Sequence, residues 1–321
     1  MLDEFIEQNQ EVGDDLIKAH LQKALAYIEE IEYFKAKEEF EKYIPVGIED
    51  AYIQGEYGTL YNTLGDYDKF LGHNEIALRL NIKKFGENHL STAISYNNIG
   101  LAWMSKGKYD KAIDFYYKSL NIRLAILGEN HPFIATIYNN IGSAWDSKGE
   151  YDKAIKFYHK DLKINLAITK VNYFSLSTSY NNLGEAWRKK GEYDKAIAFY
   201  NKDLNISLST LGENHPSTAT SFNNIGLVWK SKGAYDRAIE FYNRALKIRV
   251  VRLGENHPDI AQSYNNIGGA WYSKGEYDKA IKFYHKALKI FITILGENHP
   301  NVQVVRDNLK MTEEKFRESG G

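Results

Sequence analysis

The chain has 321 residues, enough for two ordinary domains, and contains no cysteine, which excludes a disulfide framework and a cysteine-based metal site. Forty-one Lys and Arg against forty-two Asp and Glu leave a net charge of −1, so nothing in the balance pulls generically on phosphate backbones or anionic membranes. The opening MLDEFIEQNQ is acidic with no long apolar core, and no apolar run approaches the ~20 residues of a membrane helix; a soluble, cytoplasmic protein without membrane or nucleic-acid partners is expected.

In chain order, residues 14–30 and 33–43 read as a helical pair, with Tyr33, Ala36 and Phe40 on one stripe. Residues 1–48 are expected to form a divergent N-terminal hairpin or cap. Residues 49–90 are a worn copy of the regular unit: Gly58, Tyr61, Gly65, Tyr67 and Lys69 stand 42 positions before Gly100, Trp103, Gly107, Tyr109 and Lys111. Phe70 takes the place of the small Ala112, so packing there must differ.

From 91 to 300 the sequence repeats five times with a 42-residue step. Trp103, Trp145, Trp187, Trp229 and Trp271 keep it, as do Gly100, Gly142, Gly184, Gly226 and Gly268. LGENHP recurs at 127–132, 211–216, 253–258 and 295–300, with FGENHL at 85–90. In the unit beginning near 219, Phe222, Ile225, Gly226 and Trp229 lie on one helical face, Gly233 breaks the helix, and Tyr235, Ala238, Ile239, Tyr242, Leu246 and Ile248 form a second apolar stripe. Gly254 ends that helix and Pro258 sits where a first helical turn tolerates it. Gly226 and Ala238 are expected to let the two helices approach closely, with Trp229 beside them. One such hairpin cannot bury both stripes, so stability must accumulate by stacking. In residues 301–321, Lys310 and Glu313 occupy the Gly and Trp positions, as expected of a final capping helix facing solvent, followed by a frayed ESGG tail.

The order Gly, aromatic three on, Gly-x-Tyr, Ala three beyond, then aromatic and Leu resembles the tetratricopeptide repeat, whose usual unit has 34 residues. The 42-residue form, with its Asn pair and Leu-Gly-x-x-His-Pro linker, is similar to the repeats of kinesin light chain and nephrocystin-3 over roughly residues 50–310. The resemblance implies an all-α, right-handed superhelical solenoid of helix-turn-helix repeats whose first helices line a concave groove.

On a first helix, Ile94, Asn97, Asn98, Leu101 and Met104 adjoin the core face and should line that groove. Two ladders then consist of asparagine throughout: Asn97, Asn139, Asn181, Asn223 and Asn265, and Asn98, Asn140, Asn182, Asn224 and Asn266. A side-chain amide both donates and accepts, as does the backbone of an extended peptide. The family resemblance implies that the second ladder grips a peptide main chain; the alternative is that the amides bond to one another and to neighbouring helices. Specificity is expected where units differ: an apolar patch at Leu101 and Met104, an acidic one at Asp146 and Glu185, a basic one at Arg188, Lys189 and Lys230, and Tyr272 at the last unit. The amides stand where chaperone-tail binders of this family carry a two-carboxylate clamp of Lys and Arg, so no such binding is expected.

Three local features complete the pattern. Residues 169–174, TKVNYF, replace LGENHP, and Asp161 and Asp203 occupy a position that is small elsewhere (Ser119, Ala245, Ala287); buried there, each carboxylate needs a partner, for which Ser179 and Ser221 are placed. His89, His131, His215, His257 and His299 recur in the linkers but are too far apart to share one metal ion, and read as turn residues. No nucleophile, phosphate-loop or zinc motif is present, and Asp-Lys pairs such as Asp110-Lys111 and Asp278-Lys279 suit helix N-termini and solvent. The chain is therefore expected to be no enzyme and to need no cofactor. It reads as a scaffold or adaptor binding an extended protein segment, or alternatively as a sensor array that self-associates or controls a separate NTPase or protease; the oligomeric state is left open by the sequence.

Overall fold

The structure, a computed structural model, describes residues 13–29, 32–43, 49–168 and 172–319. The acidic opening segment, residues 169–171 of the aberrant linker and the last two residues of the tail lie outside the described residues. The described residues form fifteen α-helices and no strand. These are α1 (Gly13–Glu29), α2 (Tyr33–Tyr43), α3 (Ala51–Thr63), α4 (Tyr67–Phe85), α5 (Leu90–Ser105), α6 (Tyr109–Leu127), α7 (Pro132–Ser147) and α8 (Tyr151–Ala167). They continue with α9 (Tyr173–Lys189), α10 (Tyr193–Thr210), α11 (Pro216–Ser231), α12 (Tyr235–Leu253), α13 (Pro258–Lys274), α14 (Tyr277–Leu295) and α15 (Pro300–Glu318). The chain packs as two compact units, residues 1–157 and 158–321.

In the first unit, α1 to α5 enclose a core built on Ala24, Ala36, Phe40, Tyr57, Leu60 and Phe70. Tyr57 donates its hydroxyl to the Phe40 carbonyl at 2.6 Å, and Tyr61 donates to Glu41 at 2.7 Å. Phe70, in place of the regular alanine, is buried in this core. In the second unit, α10 to α12 pack around Tyr200, Phe222, Ile225 and Val228, and the last hairpin closes against α15 through Phe291, Val302, Val305 and Leu309. Lys310 on α15 is exposed and Glu313 half-buried.

One contact sets the spacing inside the regular hairpins. A Cβ added at Gly100 would lie 2.6 Å from the Tyr116 ring; at Gly184 it would meet Tyr200 at 2.9 Å, at Gly226 Tyr242 at 2.8 Å, and at Gly268 Tyr284 at 2.9 Å. Each tyrosine is fully buried, contributing about 1.5–3 kcal/mol through its ring. The first helix can carry only glycine where the tyrosine of the second lies on it. The tryptophans sit beside this seam and are half-buried. Each carries two cations over its rings: Lys111 and Lys106 at 4.1 and 5.5 Å from Trp103, Arg237 and Lys232 at 4.5 and 5.5 Å from Trp229, and equivalents at Trp145, Trp187 and Trp271. In the sets at Trp103, Trp145, Trp229 and Trp271 the second cation also reaches back to an aspartate of the preceding hairpin: Lys106–Asp68, Lys148–Asp110, Lys232–Asp194 and Lys274–Asp236. Asp110 thus bridges hairpins rather than only facing solvent, although such exposed pairs contribute little each.

The linker histidines cap helices. His89, His131, His215, His257 and His299 each accept, at Nδ1, the backbone N–H two residues on, at 3.1–3.2 Å. The following Pro, present in four of the five, occupies the first turn without losing a hydrogen bond. Where histidine is missing, Asn172 does the same work, its Oδ1 accepting from the Phe174 and Ser175 N–H groups at 3.1 and 3.2 Å.

Asp161 and Asp203 find the partners expected of them. Ser179 donates to Asp161 at 2.6 Å and Ser221 to Asp203 at 2.7 Å; Asn165 adds a bond to Asp161 at 2.9 Å, and Ser177 one to Asp203. Burial still dominates. It pushes the Asp161 carboxyl up to about 6, against the downward pull of the Ser179 and Asn165 hydrogen bonds, and raises Asp203 for the same reason.

Two outcomes are expected. Replacing His215 with Ala removes an N-cap contribution of about 1 kcal/mol, so hydrogen exchange at the first-turn amide of Ser217 should accelerate about fivefold, whereas His215→Asn should preserve protection; equal exchange in both variants would contradict the capping role. Asp161 has a folded pKa above its unfolded value, so the folded state holds the proton between about pH 4 and 6. Its contribution is fully present at low pH and is lost as pH rises through about 6. Asp161→Asn should therefore be more stable than wild type at pH 7, by at most about 3 kcal/mol, with the gap closing by pH 4 in denaturant titrations.

Candidate protein-interaction face

The ten asparagines of the two ladders are all half-buried on the first helices α5, α7, α9, α11 and α13. They interlock. Asn140 donates through Nδ2 to Oδ1 of Asn97 at 3.0 Å, Asn224 to Asn181 at 2.8 Å, and Asn266 to Asn223 at 2.9 Å. The second amide of one repeat is thus tied to the first amide of the repeat before it, a rung between adjacent first helices. In the second unit α9, α11, α13 and α15 touch in that succession. This is the geometry of amides bonded to one another, and in these three pairs it consumes one donor of the second Asn and one acceptor of the first. The Nδ2 groups of Asn97, Asn181 and Asn223 and the carbonyls of Asn140 and Asn224 make no other hydrogen bond among the described residues. The Asn266 carbonyl is taken by Gln262 at 3.0 Å. The series also runs one step further than the regular units: Asn308 on α15 donates to Asn265 at 3.1 Å. Asn308 stands 42 residues after Asn266, a signal present in the sequence. At the other end Asn98 lacks this bond, because the residue 42 before Asn97 is Gly55.

The variable positions are less uniform than their chemistry suggests. Leu101 packs on the core of the preceding hairpins; Met104 and Asp146 are half-buried nearby on α5 and α7. Glu185 and Arg188, expected to mark opposite patches, neutralise each other. Arg188 donates through Nε and Nη2 at 2.8 and 2.6 Å to the two oxygens of Glu185, Tyr200 donates to the same carboxylate at 3.0 Å, and Lys189 lies 3.9 Å away. Burial raises the Glu185 carboxyl, but the Arg188 hydrogen bonds and charge outweigh it and hold the group below the usual carboxylate range. An i,i+3 acid–base pair on one helix is the expected origin.

Lys230 behaves differently. It makes no ion pair among the described residues, and burial lowers its ammonium pKa. Its Nζ lies 2.9 Å from where a Cβ on Gly269 would be, with the Tyr284 hydroxyl 3.6 Å from the same point. Gly269, in the same ladder as Leu101 and Glu185, therefore makes room for the lysine of the preceding repeat. Tyr272 lies against Tyr277 at the end of the face, the ring centroids 5.5 Å apart and the planes tilted by 54°.

Among the described residues, no group of three or more His, Asp or Glu is arranged to hold a metal ion, and no helix is long and apolar enough to cross a membrane.

Comparison with known proteins matches these hairpins. Tetratricopeptide-repeat profiles match residues 104–164, 175–250 and 260–301, more than half of the chain. No curated protein matches it in sequence. Among solved structures, BtubC (BKLC) of P. vanneervenii is similar over 77% of this chain and 94% of its own, at 23% identity and a TM-score of 0.57. A protein described as a kinesin light chain with nearly identical repeats, from Podosopora anserina, is similar over 62% of this chain and 93% of its own, at 19% identity and a TM-score of 0.57. A signal transduction ATPase with a tetratricopeptide repeat sensor, from Pyrococcus horikoshii, is similar over 97% of this chain and 46% of its own, at 17% identity and a TM-score of 0.66. At these identities the likeness is one of fold. On the profile matches and the repeated helical hairpins together, the chain belongs to the tetratricopeptide-repeat family.

Proposed function

We propose that the chain is an interaction scaffold or adaptor that holds an extended segment of a partner protein across the first helices, reading its main chain with the amide rungs. Tetratricopeptide repeats generally mediate protein–protein interactions, and the observation that carries the finer reading is the rung itself. Because each amide pair is locked by one internal bond, the remaining N–H groups of Asn97, Asn181 and Asn223 and the carbonyls of Asn140 and Asn224 are held in fixed directions. Donors and acceptors fixed in advance lose little entropy on binding, and a peptide backbone offers the complementary acceptors and donors in turn. Lys230, half-buried and without an ion pair among the described residues, favours an acidic side chain on the partner beside α11 and α13.

The second reading, a regulatory array serving a separate effector, is supported by the fold likeness to the ATPase, whose tetratricopeptide repeats are named as its sensor. The two readings share the first-helix face and differ in what occupies it.

A photo-crosslinking amino acid at Leu227, on the variable ladder of α11, tests the reading against the same group at the exposed Glu240 on α12. In a lysate of the source cells, Leu227 should crosslink a distinct protein and Glu240 should not, and Lys230→Glu should reduce the Leu227 product about tenfold. Products from Glu240 alone would move the interaction to the second helices and overturn the proposal. Crosslinking of the chain to itself, with an oligomer in light scattering, would favour the regulatory reading.

A further inference from the structure

The hairpin α3–α4 departs from the regular ones at the contact that sets their spacing. Forty-two residues before the Gly100–Tyr116 pair stand Gly58 and Asn74, so a short amide replaces the large ring, and it covers the glycine together with the Phe70 ring. The same step puts Gly55 in the place of Asn97, Thr59 in that of Leu101 and Asn81 in that of Arg123. These side chains are smaller than their counterparts in the regular units, and a cavity of about 840 Å³ beside them, between α3, α4 and α5, is lined by Gly55, Thr59, Asn74 and Asn81 among others. Cavities of this size hold small ligands and side-chain clusters.

Its lining has a definite chemistry. Asn74 is 0% exposed and donates Nδ2 to the Phe70 carbonyl at 2.9 Å, while its Oδ1 has no partner among the described residues. A buried acceptor left unmet is costly, on the order of 1–3 kcal/mol. Glu56 lines the same cavity, half-buried, with no ion pair among the described residues, and burial raises its carboxyl. The lysines at the rim are occupied: Lys83 reaches Glu49 at 3.3 Å, and Lys84 lies 5.1 Å over the Phe85 ring. Tyr52, Phe85 and Ile94 form the apolar edge, all well exposed. The cavity therefore presents a buried acceptor, an unpaired acid and apolar walls.

We propose that this cavity is the anchoring pocket for a tyrosine side chain of the partner segment, its phenol donating to Asn74 Oδ1 and an adjacent lysine or arginine meeting Glu56. The inference rests on the reading that the partner is an extended segment on the first-helix face. The apolar walls set the body and the two unmet acceptors set the polarity: the ligand must bring an aromatic body, a neutral donor at its tip and a positive charge beside it. Asn98, at the cavity edge and lacking the amide of a preceding repeat, is placed to hold the main chain next to the anchor.

The probe is a capped tetrapeptide, Ala-Tyr-Lys-Ala with 3-fluorotyrosine, titrated with the full chain and followed by fluorine NMR. Binding is expected, weaker by about tenfold for the Phe-Lys and Tyr-Glu peptides. Asn74→Tyr, which places the regular residue in the cavity, should abolish it while the melting temperature stays at or above wild type. Gly55→Asn is the second variant, chosen because a Cβ at Gly55 meets nothing within 4 Å; it should narrow the cavity and weaken binding even if Asn74→Tyr fails to fold. Unaltered binding by both variants, equal binding of the phenylalanine peptide, or p-cresol binding as strongly as the peptide would overturn the assignment. Should the Leu227 crosslink survive in Asn74→Tyr while the tetrapeptide fails to bind wild type, the anchor is wrong and the groove reading stands; loss of both removes the two together.

Discussion

The closeness of a glycine on each regular first helix to a tyrosine ring on the second is the constraint on which the other features rest. At Gly100, Gly184, Gly226 and Gly268 the space for even one methyl group is already filled by the ring. Interiors are packed near crystal density and yield little, so this contact fixes how near the two helices lie and how one is rotated against the other. Rotation of the first helix decides which side chains face the core and which adjoin it. With glycine under the tyrosine, the Asn pair two and three residues before it falls at the boundary, half-buried, where amides of successive first helices come within hydrogen-bond distance. The rungs are a consequence of the seam.

The same constraint explains where the molecule is irregular. In α3–α4 the tyrosine gives way to Asn74 and Phe70, which together cover Gly58. On the same hairpin Gly55 removes the amide that would span to Asn98. At the other irregularity, Asp161 and Asp203 enter a position built for small side chains, and neighbouring serines and an asparagine satisfy them without any change in the helical scaffold. Buried carboxylates held by neutral donors, with no cation beside them, remain costly when ionised. The array tolerates this because hairpins contribute stability additively along the chain.

Much of this is legible in the sequence. The 42-residue step marks the hairpins and the seam glycines, because a solenoid repeats its physics along with its residues. The serine partners of Asp161 and Asp203 follow from placing the serines on the next first helix. The linker histidines are readable as turn residues, though not as N-caps through Nδ1, since the direction of an imidazole is set by the local backbone. Whether an amide bonds its neighbour or a ligand depends on inter-helix distances of a few ångströms, which periodicity does not carry. The Glu185–Arg188 pairing is available from its i,i+3 spacing and is hidden when each residue is compared only along its own ladder. In the worn repeat, the enlarged Phe70 is conspicuous in sequence, whereas the tyrosine missing four residues on is not; lost volume becomes visible only when the neighbouring helices are in place.

The seam can be tested by a double-mutant cycle on one hairpin, with Gly226→Ala, Tyr242→Ala and the pair measured by urea denaturation. If the ring against the glycine fixes the helix spacing, Gly226→Ala destabilises the protein by about 1–3 kcal/mol when the tyrosine is present and by little or nothing once it is gone, giving a coupling energy of that size. An equal cost of Gly226→Ala in both backgrounds would contradict the account, because the glycine would then be serving something other than the tyrosine it lies beneath.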